Sequence, residues 1–263
     1  MRTRRRIGPW LRFGLLLLVT AVLLVPVALP ILRILVPYGG SGSEEGPLVG
    51  LIRSATTPPV TTWLTNSVLV TLATVLVTLA VAAPAGYVLS RAKGRLVHGY
   101  ALVIFALQAV PIVLFLIPLF VLFAGLGLID NLIGLTLVYL GLATAVATWT
   151  MSTYFDSIPV QLEEAAWLDG CSVLGGFLRV VLRNALPGVL ATSVFTFLLA
   201  WNDYWMAVVF LRSDTNYTIG LALASAGGFP ALSIIALVPP LVVFAALNRY
   251  FSLGGISGSL TGR

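Results

Sequence analysis

The sequence predicts an all-α, polytopic membrane protein of six transmembrane helices with one polar helical loop set among them. Three observations point there. Of the 263 residues, 59% are hydrophobic and 9% charged, with a mean hydropathy of +1.04, a balance foreign to soluble globular domains. The apolar residues lie in long continuous runs, not in the short alternating segments of a transmembrane barrel. The basic residues gather at the ends of those runs, so the net charge of +6 reads as membrane topology rather than as a nucleic-acid surface.

In chain order, spans are expected at Leu11–Val36, Trp63–Ser90, Val97–Leu126, Leu132–Tyr154, Gly188–Leu211 and Phe229–Phe251. The run RTRRR before the first imitates a secretory leader. No small-residue cleavage site follows, and the apolar run continues through Pro26 and Pro30, so an uncleaved span is expected. A glycine- and serine-rich external loop with Glu44 and Glu45 leads to the second span, and Arg91–Arg95 makes a tight turn into the third. There Pro111 and Pro118 remove backbone hydrogen bonds and let the helix bend. Gly125–Asn131 is a short outer turn, Arg212–Gly228 a longer outer loop, and a glycine-rich tail follows Phe251. The chain thus divides into an N-terminal span with its external loop (1–62), a transmembrane core (63–251) and a tail (252–263).

With the N-terminus inside, the inner segments hold twelve basic residues: Arg2, Arg4, Arg5, Arg6, Arg12, Arg91, Lys93, Arg95, Arg179, Arg183, Arg249 and Arg263. The outer segments hold three, Arg33, Arg53 and Arg212. The positive-inside rule then places both termini, and the loop after the fourth span, in the cytosol of a multi-pass cell-membrane protein. The lone cysteine, Cys171, excludes an intrachain disulfide.

That loop, residues 157–187, carries two short helices. Ser157 can cap the first, Pro159 suits its first turn and Gly170 can end it. Ser172 can cap the second, in which Leu174, Phe177, Leu178, Val181 and Leu182 make one apolar stripe opposite Arg179 and Arg183. A helical pair of this length between two spans suits docking of another protein.

The stretch resembles the EAA loop of ABC-importer membrane subunits. The motif stands as Glu164-Ala165-Ala166, Trp167-Leu168-Asp169, Gly170, with Ile158-Pro159 upstream and Phe177 downstream. The fuller EEAAWLDG resembles the maltose-type second permease of the carbohydrate branch. Pro111, Pro118, Gly127-Leu128-Ile129-Asp130, Trp201-Asn202-Asp203 and Arg249-Tyr250-Phe251 with Gly254, Gly258 and Gly262 match that pattern too. Two positions depart: Arg183 stands where a proline usually ends the second helix, and Thr261 where those tails often carry lysine.

The resemblance implies one of two membrane subunits of a binding-protein-dependent sugar importer. Its partners would be a second permease, a cytosolic ATPase dimer, an extracytoplasmic solute-binding protein, the sugar and membrane lipid. Glu163, Glu164, Ala165, Ala166, Asp169, Gly170 and Phe177 would couple to the ATPase, with Glu164 paired to a basic residue there. Ala165 and Ala166 would permit close approach and Gly170 a sharp turn. The outer loop from Arg212 would touch the binding protein.

No cofactor is expected on this chain; ATP and magnesium would sit on the ATPase. The only lysine, Lys93, precedes Gly94, so there is no phosphate-cradling P-loop, and one histidine with one cysteine excludes zinc motifs such as HExxH. Gly255-Ile256-Ser257-Gly258 matches the GxSG of rhomboid proteases. A serine nucleophile needs a histidine base beside it, and His98 sits at the start of the third span while Ser257 lies beyond the last. No enzyme is therefore expected.

Asp203 is the one acid inside a span, at a cost of about 2.5–3.5 kcal/mol near the bilayer centre. Two readings stand. With Trp201, Asn202 and Tyr204 it can line a translocation path and bond a sugar, or it can bond a neighbouring helix. A secondary carrier would show charge relays or paired broken helices, for which Asp203 alone is thin support.

Overall fold

Every regular element among the residues described in the computed structural model, 9–35, 47–111, 113–225 and 230–255, is helical. Proline and glycine set most of the boundaries. The helices are α1 (Pro9–Leu35), α2 (Pro47–Thr56), α3 (Pro58–Arg91), α4 (Arg95–Ala109), α5 (Val113–Gly125) and α6 (Leu132–Asp156). They continue as α7 (Gln161–Leu168), α8 (Val173–Asn184), α9 (Leu186–Trp201), α10 (Trp205–Phe210), α11 (Ile219–Ser225) and α12 (Pro230–Gly255).

Pro58 and Pro59 open α3 after an extended Thr57, where a missing N–H costs nothing. Gly94, at φ 138, separates it from α4. Asn131 caps α6 by accepting from the Ile133 N–H at 2.8 Å. The third expected span arrives as two helices: α4 ends before Pro111, whereas Pro118 is tolerated inside α5. The fifth is likewise divided between α9 and α10. The segment read as an external loop contains α2, a correction; the proline at its start and the apolar Leu48, Val49, Leu51 and Ile52 form a helical turn before Pro58 begins the next helix. Of the predicted tail 252–263, residues up to Gly255 continue α12, and the rest, from Ile256 and with it most of the GxSG stretch, lies outside the described residues.

By length and composition α3 and α6 can each cross a membrane, and α8 with α9 pass the same test as a pair bent by 75°. Shorter apolar stretches run through α1, α4, α5 and α12. The central packing is α3 against α6, with α9 lying on both. The contact faces are built of small and hydroxyl residues. In α3 these are Ser67, Thr71, Thr74, Thr78, Ala82 and Gly86; in α6 Ala143, Ala147 and Thr148; in α9 Gly188, Thr192, Thr196 and Ala200. Large apolar side chains such as Leu69, Leu72 and Leu76 point outward. Lipid tails are as apolar as leucine, so membrane helices gain by close backbone approach rather than by hiding leucines. Gly86 allows α3 and α6 to approach closely, since an added Cβ would sit 2.9 Å from both the Thr148 carbonyl oxygen and Met151 Cβ.

Two larger apolar clusters close the ends of this seam. One gathers Phe123, Leu135, Tyr139, Met206, Phe210 and Leu221; the other gathers Met151, Phe155, Ile158, Phe177, Val181 and Ala185. The second cluster lies directly under the 157–187 loop.

Candidate functional site

The loop leaves α6 at Asp156. Ser157 closes that helix, its hydroxyl donating to the Tyr154 carbonyl at 2.6 Å. It therefore does not cap α7, which starts only at Gln161 with no side-chain cap. Pro159 lies just before, its carbonyl accepting from the Leu162 N–H at 3.2 Å. Gly170 ends α7 at φ 88, a left-handed geometry that glycine alone adopts without a Cβ penalty. Ser172 then caps α8 by accepting from the Gly175 N–H at 3.1 Å.

Within α8, residues Phe177–Val181 form a π turn, in which the Leu182 N–H reaches back to the Phe177 carbonyl. The buried face becomes Phe177, Val181 and Ala185, while Leu174 and Leu178 of the expected stripe are exposed. With no proline at 183, α8 runs on to Asn184 before the bend into α9.

The site residues of α7 divide by face. Glu164, Ala165, Leu168 and Asp169 are exposed, Leu168 at 89%; Glu163 and Ala166, three residues apart, are buried. Glu163 is thus not part of a solvated acidic face. Its side chain is 1% exposed and forms an ion pair with Arg91 of α3, whose Nε and Nη2 both lie 2.7 Å from Oε1. The Tyr87 hydroxyl donates to the other oxygen at 2.6 Å. Arg91 Nη2 also donates to the Ile158 carbonyl at 3.0 Å and Nη1 to Ser90 Oγ at 3.1 Å, while the Ser90 hydroxyl donates to Asp156 at 2.6 Å. A charge taken out of water persists only when paired and hydrogen-bonded in this way. Phe177 belongs to the same buried body, its ring centroid 4.8 Å from that of Tyr87 and 6.0 Å from that of Phe155. The residues expected to dock are therefore split: Glu164, Ala165, Asp169 and Gly170 are exposed, while Glu163, Ala166 and Phe177 hold the loop down.

Sequence reasoning missed Tyr87 and Arg91, counting the latter only as a topological charge. The i, i+3 spacing of Glu163 and Ala166 was the one local sign that a carboxylate shares the buried face.

The second candidate group, at the junction of α9 and α10, is less open than expected. Trp201 is 3% exposed; its indole N–H donates to the Ala236 carbonyl at 3.0 Å and its ring stacks on Phe197. Asp203 accepts from the Tyr139 hydroxyl at 2.8 Å and from the N–H groups of Met206 and Ala207 at 3.0 and 3.1 Å. It thereby caps α10 and ties it to α6, the helix-bonding alternative. Asn202 is exposed, and Tyr204 is half-buried with its ring edge-on to Trp205.

Beyond α10 the loop 211–218 is stapled from two sides. Asp130, itself at φ 57, accepts from the Arg212 N–H at 2.9 Å, the Ser213 N–H at 3.0 Å and the Ser213 hydroxyl. Burial alone would raise its pKa; these bonds, with help from Asn216, prevail and hold its carboxyl well below the usual carboxylate range. From α3, Trp63 donates to the Asp214 carbonyl at 2.8 Å, and Asn66 to the carbonyls of Thr215 and Tyr217 at 2.8 and 3.0 Å.

The family of binding-protein-dependent transport system inner membrane components matches residues 82–254. The chain belongs to that family. This permease is 30% identical over 212 residues to the trehalose transport system permease protein SugB of Mycobacterium tuberculosis, with 76% of each chain covered. It is 27% identical over 209 residues to the diacetylchitobiose uptake system permease protein DasC of Streptomyces coelicolor, again with 76% of each covered. Its fold matches a chain in the crystal structure of a bacterial ABC transporter involved in import of the acidic polysaccharide alginate. That match has a TM-score of 0.76 and 21% identity, and covers 95% of this chain and 99% of the other. The permease is accordingly a membrane component of a transport system, not an enzyme.

Proposed function

We propose that the permease forms half of the translocation pathway of an ATP-driven sugar importer and couples to a separate ATPase through the 157–187 loop. The observation that carries the coupling is the two-faced α7. Its inner face is pinned by Glu163 and Ala166, while Glu164 and Leu168, one turn apart, stand exposed beside Gly170. An apolar side chain 89% exposed beside a carboxylate on a polar loop is the chemistry of a docking knob. The sugar follows the trehalose and diacetylchitobiose named for the relatives.

In this reading the six spans are α1, α3, α4 with α5, α6, α9 with α10, and α12. The basic residues of the 91–95 turn and of α8 put the loop and both termini in the cytosol. The partners are a second permease, an ATPase dimer carrying ATP and magnesium, and an external binding protein that meets the stapled 211–218 loop. The core runs from 63 to 251.

The test is mass spectrometry of what co-purifies in mild detergent with this chain tagged in its own host. A P-loop ATPase and a second permease are expected, with the ATPase alone lost from the Glu164→Lys, Leu168→Glu variant. A chain recovered alone, from an extraction that keeps other complexes intact, overturns the proposal. A co-purifying binding protein that takes a non-sugar solute overturns the substrate class only.

A further inference from the structure

We infer that Arg91 and Tyr87 are positioning residues that make the coupling helix α7 one rigid body with the ends of α3 and α6, so that a push on its exposed face is transmitted to those two spans. The inference rests on the coupling reading and adds to it the route by which force enters the bundle.

Both oxygens of Glu163 are taken. Arg91 holds Oε1 through two nitrogens at 2.7 Å, and Tyr87, one turn earlier on α3, holds Oε2 at 2.6 Å. A carboxylate gripped at both oxygens can neither swivel nor slide along α3, which apolar packing alone would allow. The same guanidinium reaches the Ile158 carbonyl, and through Ser90 it is linked to Asp156 at the end of α6. The planar fork of arginine suits this task and the point charge of lysine does not. The far arm of the loop is built differently. Between Gly170 at φ 88 and the 75° bend from α8 into α9 lies the π turn at Phe177–Val181. The loop is thus fastened to α3 and α6 by a buried ion pair and its hydrogen bonds, and turns into α9 through a bend. From that fastening the push enters the α3–α6 crossing, where Gly86 lies close against Thr148 and Met151.

Two measurements test this with Glu163→Gln, Arg91→Lys and Tyr87→Phe, all mild enough to keep the chain inserted. The first is hydrogen exchange on the purified permease in detergent, without partners. Amides of 161–168 are expected to exchange about tenfold faster in Glu163→Gln and Arg91→Lys, with 70–86 unchanged. Unchanged exchange across 161–168 in both variants overturns the anchor, whatever the partners are. The second uses the whole transporter in proteoliposomes and counts ATP hydrolysed per solute moved. The variants are expected to bind the ATPase and hydrolyse ATP at a rate close to the parent, while the ATP spent per solute rises about tenfold; a merely structural role would lower both activities together. A parent-like ratio in all three variants overturns the transmission. If no ATPase accompanies the chain, the coupling reading itself fails and the transmission falls with it, while the exchange result still reports on the anchor.

Discussion

At one end of the bundle Asp130 is answered by neutral donors from one neighbouring stretch, the N–H groups of Arg212 and Ser213 and the Ser213 hydroxyl. At the other end Glu163 meets a guanidinium and a phenol from a helix 72 and 76 residues earlier. The first end spreads its fastening over many small bonds, since from α3 Trp63 and Asn66 stitch the same loop and Ser67 holds the Ile219 N–H that follows it. The second concentrates it in one buried ion pair. A distributed fastening yields gradually when one bond goes. A concentrated one fails together, because removing either partner strands a charge away from water.

The largest effect is expected at Arg91. Arg91→Ala leaves Glu163 unpaired at 1% exposure and is expected to cost about 3–5 kcal/mol, read as an earlier unfolding midpoint in detergent denaturation. At the other end Asp130→Ala removes three hydrogen bonds, yet Asn66 and Trp63 remain, and a loss of about 1–3 kcal/mol is expected. Exchange of the amides at 211–217 measures it. The pH dependence sharpens the contrast. Because the folded Asp130 carboxyl is held low, its stabilisation is complete above the unfolded carboxylate value of about 4 and drains away as pH falls from there toward the depressed folded value. The 211–217 amides should therefore keep full protection from neutral pH down to about 4 and lose it progressively below, and Asp130→Asn should flatten the profile.

Asp203→Ala removes the cap of α10 and the bond to Tyr139, with an expected loss of about 1–2 kcal/mol. Solute preference in a competition uptake assay should stay as in the parent if the role is helix bonding alone, and a changed preference would support the translocation-path reading. The smallest effect is expected at Gly170, where no neighbouring atom would meet a Cβ and only the φ of 88 resists. Gly170→Ala should cost about 1 kcal/mol, visible as a small shift of the same unfolding midpoint.

Hydropathy made the membrane class legible, and the local grammar of helix ends made parts of the loop legible: Gly170 stops α7 and Ser172 caps α8. Faces were harder to read. Nearly every residue of α3 and α6 is apolar or small, so no amphipathic stripe announces that Thr74 and Ala147 are buried while Leu72 and Leu76 face outward. In α8 the expected stripe counted a regular 3.6-residue turn; the π turn rotates the register, so Phe177 and Val181 point in while Leu174 and Leu178 point out. Ser157 carried the right chemistry for a cap but serves the helix before it. The anchor was invisible for a plainer reason. No local pattern links Arg91 to Glu163, because α4, α5 and α6 lie between them. At Asp203 the sequence shows the buried acid but not its partner Tyr139, 64 residues earlier on α6.

The two fastenings also differ in when they can form. A chain is made from its N-terminus, and Arg91 waits 72 residues for Glu163, whereas Asn66 waits 151 for the Tyr217 carbonyl. The Glu163 end is thus complete once α8 has been made, with four helices still to come. The opposite end stays open until residue 217 is in place. A half-made permease, inserted only through α8, already holds α7 in its final pose, so on the coupling reading the motor can be recruited before the channel it drives exists.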